Sequence, residues 1–139
     1  MLGQASGRLA ISTSGKGLIE ISDRVAAWVA EQGMREGLLT LFCRHTSASL
    51  LIQENAARAV QSDLIAFFDK IAPESRDYSH DDEGPDDMPA HLKTALTQVQ
   101  LSIPVAEGRM VLGTWQGIYL FEHRARPHRR DVALHLIGQ

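Results

Sequence analysis

One cysteine in 139 residues, Cys43, leaves the chain no internal disulfide. That excludes a disulfide-stapled secreted scaffold and fits a reducing cytoplasm. Basic residues are not in excess: the net charge is −3 and the pI near 6.0. No general affinity for nucleic acid is expected, because phosphate binding needs a basic field. A local anion site is still allowed. No apolar run reaches membrane-spanning length, and the opening MLGQASGRLA lacks a signal-peptide core, so a soluble cytoplasmic protein without membrane contact is expected. Phosphate-binding and dinucleotide glycine motifs are absent, as are H-E-x-x-H and G-x-S-x-G. The acidic segment lacks the alternating ligands and closing glutamate of a calcium loop. Repeats and interdomain linkers are missing too, which leaves a single domain over residues 1–139, long enough to bury its own core.

What is present alternates short strands with amphipathic helices. Residues 8–13 and 17–22, separated by Ser-Gly-Lys-Gly, read as a β-hairpin. Ser22 or Asp23 is placed to cap a helix carrying Val25, Trp28 and Val29 that stops at Gly33. Residues 38–44 and SLLIQE are strands around the turn HTSA, and Cys43 reads as an inert core thiol. Ala59, Val60, Leu64, Phe67, Phe68 and Ile71 make an amphipathic helix from about 56 to 71, ended by Pro73. A third helix is expected from Pro89 to Val99, with Leu92, Leu96 and Val99 as its core stripe. QLSIPV, RMVLGT, GIYLFEH and RDVALHLI supply the final strands. Runs of strands punctuated by helices, rather than strict alternation, predict an α+β fold: an antiparallel sheet with helices on one face.

Residues 74–87 fit no periodic pattern. They hold seven carboxylates with Tyr78 and His80, and a loop this long in a compact domain is functional or disordered. GPDDMPAH follows at 84–91. Asp86 and Asp87 suit the start of the third helix, as caps or as charges at its positive end. Capping does not require His91, so a binding site on the same turn is the other reading. A metal reading takes His45, His80 and His91 with a carboxylate, for zinc or a similar divalent ion. Each histidine taken alone also reads as an ordinary hydrogen-bonded residue. Arg124, Arg126, Arg129 and Arg130 crowd into seven residues and form an anion-site candidate, or else an exposed charged turn. Trp115, between glycines 113 and 117, reads as a pocket wall or as core.

Four strings taken together, HTSASLLIQENA, HDDEGPDDMPAH, GTWQGIYLFEHR and the RR that follows, resemble the YjbQ-like family. That family is often assigned as a secondary thiamine-phosphate synthase. The resemblance runs over nearly the whole chain. It implies a two-layer, largely antiparallel sheet, a homotrimer, and a polar site near subunit boundaries. The implied site takes His45, Thr46, Ser47, Glu54, Asn55, His80, Asp87, His91, Trp115, Gln116, Glu122 and Arg130. Proton transfer falls to His45, His91, Asp87 and Glu122. Substrate contacts fall to Thr46, Ser47, Asn55, Trp115, Gln116, Arg124, Arg129 and Arg130. A divalent metal, zinc or magnesium, falls to His45, His80 and His91. The implied activity joins a pyrimidine diphosphate to a thiazole phosphate with loss of pyrophosphate, and it needs cations for the departing charge. The expected partner is accordingly a small anionic or phosphorylated substrate, with a non-catalytic binder of metal or anionic metabolite as the alternative. One departure stands out: Ala57 occupies the place where the family pattern E-N-A-D carries aspartate.

Overall fold

The computed structural model describes residues 1–75 and 77–139. Eight strands and three helices follow in the order β1 (Gly3–Ser12), β2 (Gly17–Glu20), α1 (Ser22–Glu31), β3 (Gly37–Cys43), β4 (Ala48–Glu54), α2 (Arg58–Ile71), α3 (Asp87–Leu96), β5 (Gln100–Ala106), β6 (Arg109–Met110), β7 (Gln116–Glu122) and β8 (Arg129–Gly138). The α+β expectation holds. Every strand pairing is antiparallel.

The strands divide into two sheets, ordered β1-β8-β3-β5-β6 and β2-β7-β4. The hairpin expected from residues 8–22 therefore does not form. β1 pairs with β8 over ten residues, from Gly3↔Gly138 to Ser12↔Arg129, whereas β2 crosses to β7. Ten cross-strand pairs outweigh the four that a hairpin with β2 could supply, and Thr13 holds the departure point through its backbone bond to the His128 carbonyl.

Alternation in β3, β5 and β8 puts Leu39, Leu41, Leu101, Ile103, Val132, Leu134 and Leu136 into one core with Leu50, Ile118 and Leu120 of the other sheet. Val25 and Val29 of α1 close that core, and α1 packs against β6 and β7. Trp28 lies over Gly7, where a Cβ would come within 2.3 Å of the indole nitrogen. Neither Ser22 nor Asp23 caps α1. The Ser22 hydroxyl instead accepts the Ile118 N–H and donates to Glu20, so it ties the helix start to β7.

The third helix differs most from its sequence reading. Its buried face is Asp87, Pro89, Ala90 and Lys93, while Leu96 is largely exposed. Asp86 occupies the cap position without a side-chain cap bond, because Arg124 and the Ala125 N–H engage its carboxylate. Among the described residues, no helix is long and apolar enough to cross a membrane.

Candidate functional site

The polar heart of the molecule lies where β7 ends and β8 begins, so a turn of a few residues brings Glu122 and Arg130 face to face. Both are buried. Arg130 donates from Nε and Nη2 to the two oxygens of Glu122, the planar fork-to-fork match of guanidinium and carboxylate. Thr13 Oγ1 donates to Glu122 Oε1 at 2.7 Å, and the Arg124 N–H donates to Oε2 at 3.1 Å. Burial pushes the Glu122 carboxyl up, but the Arg130 hydrogen bond and these donors overcome it and hold the group below the usual range. Arg130 Nη2 also donates to the Ser47 carbonyl and hydroxyl, at 3.1 and 3.0 Å.

His45 stands beside this pair. Its Nε2 accepts the Asp131 N–H at 2.7 Å, so a neutral ring carries its proton on Nδ1, and Arg130 Nη1 lies 3.4 Å from that atom. Burial and the Arg130 charge both disfavour imidazolium, which lowers the His45 pKa.

A second cluster forms where the acidic loop enters α3. Asp87 and His91 lie four apart on one helical face, the spacing that stacks side chains one turn apart. Asp87 is 3% exposed. Its Oδ2 lies 2.7 Å from His80 Nε2 and 3.2 Å from His91 Nε2, while Oδ1 accepts from Arg124 Nη1 at 2.7 Å. Arg124 spans the doublet, donating from Nε to Asp86 Oδ2 at 3.0 Å and from Nη2 to the Glu83 carbonyl at 3.0 Å. Burial raises the Asp87 carboxyl, and the His80 bond with the His91 and Arg124 charges more than reverses it. The Asp87 hydrogen bond in turn raises His80.

His91 is the informative member. Its Nδ1 lies 2.9 Å from the Thr46 carbonyl, an oxygen that can only accept, so Nδ1 carries a proton. A neutral His91 then points the Nε2 lone pair at an anionic oxygen. Two acceptors at that distance need a cation or a proton between them. A histidine fixed through Nδ1–H to a backbone carbonyl is the arrangement that presents Nε2 to metals. Ligand atoms of His80, Asp87 and His91 all lie within 4.8 Å of one another. Two imidazoles and a carboxylate suit zinc and similar divalent ions, so the donor set fits.

Two hollows flank the cluster. One, of about 790 Å³, runs between the end of β3 and α3; His45 and His91 line it over Phe42 and Val99. The other, of about 640 Å³, lies in the loop around Tyr78, His80 and Met88.

Of the residues singled out from sequence, His45, Thr46, Ser47, His80, Asp87, His91, Glu122, Arg124 and Arg130 gather here. His45 falls outside the cluster that unites His80, Asp87 and His91, its ring being held by the Asp131 N–H instead. Arg124 and Arg130 are occupied by carboxylates, and Arg129 is exposed at the start of β8. Asn55, Trp115 and Gln116 gather at the other end of the three-stranded sheet, where Glu54 pairs with Gln116 and the Asn55 N–H reaches the Trp115 carbonyl. Six strand steps separate Gln116 from Glu122, about 20 Å at about 3.3 Å per residue. Trp115 is 62% exposed there.

Thr13 and Asp86 are participants that pattern reading missed or misplaced. The Asp86–Asp87 doublet was visible as a helix start, but nothing local indicates that Arg124 reaches across to both.

Solved structures share this architecture. A YbjQ-like protein of unknown function from Sulfolobus solfataricus superposes with a TM-score of 0.93 at 25% identity over 100% of both chains. A YjbQ/UPF0047 protein from Clostridium acetobutylicum gives 0.84 at 34% identity, covering 91% of this chain and 96% of that one. A UPF0047 protein of Synechocystis sp. is 51% identical over 132 residues, 94% of this chain and 90% of its own. UPF0047 protein YjbQ of Escherichia coli O157:H7 is 39% identical over 94% of this chain and 96% of its own. Residues 7–139 match the family model described as UPF0047 protein YjbQ-like, and the chain belongs to that family.

Proposed function

We propose that this protein is a metal-assisted enzyme acting on a small phosphorylated metabolite in the groove between β3 and α3. The observation that carries the reading is the pair of imidazole nitrogens converging on Asp87 Oδ2, with His91 oriented by the Thr46 carbonyl. His80, Asp87 and His91 would hold the ion. When bound, a divalent cation supplies positive charge for phosphate oxygens. Arg124 holds Asp87 and Asp86 in place, and His45, kept uncharged by burial and Arg130, orients the mouth of the groove. A transferase joining a pyrimidine diphosphate to a thiazole phosphate, as a side activity, is the specific reaction to try first.

We further propose a homotrimer working in the cytoplasm. Leu38, Phe42 and Ile137 are exposed on the outer face of the five-stranded sheet, with Leu38 and Ile137 directly paired, and neighbouring copies would cover them. Light scattering should give three times the chain mass; a monomer would sink that part.

The non-catalytic alternative, a binder of metal or anionic metabolite, is favoured by one fact. Arg124 and Arg130 already spend their forks on carboxylates, which leaves few free cations for a departing phosphate. Elemental analysis followed by turnover assays on phosphorylated compounds separates the readings. Stoichiometric metal with product supports the enzyme, and stoichiometric metal with ligand-dependent stabilisation but no product supports the binder. No metal after reconstitution defeats the metal-assisted enzyme and the metal binder, leaving an anion binder only if a phosphorylated compound still stabilises the fold.

A further inference from the structure

A third, smaller cavity of about 190 Å³ lies behind the helices, lined by Lys16, Asp69, Pro73, Glu74, Lys93 and His123. Its walls contain polar groups that the fold leaves unfinished. His123 is 1% exposed, and its Nδ1 has no hydrogen-bond partner among the described residues. Its other nitrogen lies 2.9 Å from Ser49 Oγ, which in turn is 2.7 Å from the Thr97 hydroxyl. The Lys93 carbonyl lies 2.8 Å from the Thr97 hydroxyl but already accepts the Thr97 N–H; with the hydroxyl turned to Ser49 and Ser49 donating to Nε2, the His123 proton sits on Nδ1. Lys93, at 4% exposed, carries three N–H donors and meets one side-chain acceptor, Asp69 Oδ1. Lys16 adds a further ammonium 3.8 Å from both Asp69 and Glu74.

Unmade hydrogen bonds on buried donors are costly, more so for charged groups. Native proteins rarely leave them. The lysines offset Asp69 and Glu74, while Arg124 and the Ala125 N–H engage Asp86, the remaining carboxylate of the wall. A charge-balanced wall of that kind suits one added negative charge better than several. The cavity holds several times the ~30 Å³ share of one water molecule.

We propose that this cavity is a binding site for a small oxyanion carrying a single negative charge, a carboxylate or monoanionic phosphate. The ion accepts from Lys93 Nζ and His123 Nδ1–H, with Lys16 at the mouth. The site is separate from the His80–Asp87–His91 cluster and does not depend on metal.

The test uses the full chain stripped of metal with chelator. Thermal unfolding is followed in formate and in inorganic phosphate against chloride at matched ionic strength. The expected result is a saturable rise in Tm for the wild type, as any ligand binding only the native state must produce. The rise persists in Asp87→Asn, which separates this site from the metal cluster, and disappears in His123→Phe and Lys93→Met. Should those core variants fail to fold, two wild-type measurements decide. Formate should move the His123 Nδ1 resonance in nitrogen NMR, and soaked crystals should show the ion bonded to His123 and Lys93. No saturable rise, an equal rise in folded His123→Phe and Lys93→Met, or only a water at Nδ1 in soaked crystals overturns the proposal.

Discussion

Glu122 and Asp87 are both buried carboxylates facing an arginine, yet their surroundings differ in what is left over. Around Glu122 both carboxylate oxygens find their donors: Arg130, Thr13 and the Arg124 N–H fill them, and Ser47 accepts from Arg130 Nη2. Around Asp87 the count closes only with a second proton on His91 or with a cation. One oxygen satisfies Arg124, but the other faces two imidazole nitrogens, and one of these has its proton committed elsewhere. A satisfied network rigidifies, whereas a network with a surplus of acceptors has room for a cation. The two regions touch through Arg124, whose backbone serves Glu122 and whose side chain serves Asp87. The rigid pair thus anchors the open one.

The sharpest way to break this contrast is metal loading. His91→Ala and Asp87→Asn should lose bound metal to background by elemental analysis, while His45→Ala keeps it, because the His45 ring is held by the Asp131 N–H and lies outside the cluster. Equal loss in all three would merge the regions. Next in size, Arg130→Met strands a buried carboxylate. Urea unfolding should show a loss of about 3–5 kcal/mol, as when one partner of a buried pair is removed. A loss below ~1 kcal/mol would mean that water reaches Glu122.

Acid should act on buried His123 and on the carboxylates of the two regions at different pH. Burial, with Lys93 nearby, lowers His123 from 6.5 to about 3. A group whose folded pKa is depressed is more protonated in the unfolded chain between those values, so its stability contribution is complete above 6.5 and drains as pH falls toward 3. Asp86, Asp87 and Glu122 are also depressed, and their contributions vanish only as pH drops through and below the ordinary carboxylate range near 4. His80 is raised, so its contribution is whole below 6.5 and fades as pH climbs through its folded value. Denaturation midpoints should therefore begin to decline below about pH 6.5 and steepen below about pH 4. A midpoint flat from pH 7 to 5 would place His123 in contact with water. The smallest effect belongs to Thr13→Val, which removes one donor to Glu122 and the acceptor for the His128 N–H. About 1–2 kcal/mol is expected in urea unfolding, typical of a lost buried hydrogen bond with a stranded partner.

Much of the fold was legible because apolar alternation is a local signal: β3, β4, β5, β7, β8 and α2 lie where their periodicities put them. What failed was non-local or polar. The turn after β1 looks like a hairpin, but pairing is decided by β8, more than a hundred residues on. In α3 the helical period is present, but at 87, 90 and 93, where two of the three residues are charged and paired; hydropathy assigns such positions to solvent. The histidine–carboxylate string was readable as a site, while the roles of Arg124 and Lys93 became visible only with their partners in place.

The position of β8 has a consequence for synthesis. It lies between β1 and β3 in the larger sheet, so the first strand and the third have no common neighbour until the last one arrives. On the ribosome, both must wait with unpaired edges until the chain has emerged to about Gly138. Such distant pairing slows folding and prolongs exposure of sticky strands. Cells making this protein quickly would thus lean on chaperones until β8 is in place, far more than for a chain whose neighbours in sequence are neighbours in the sheet.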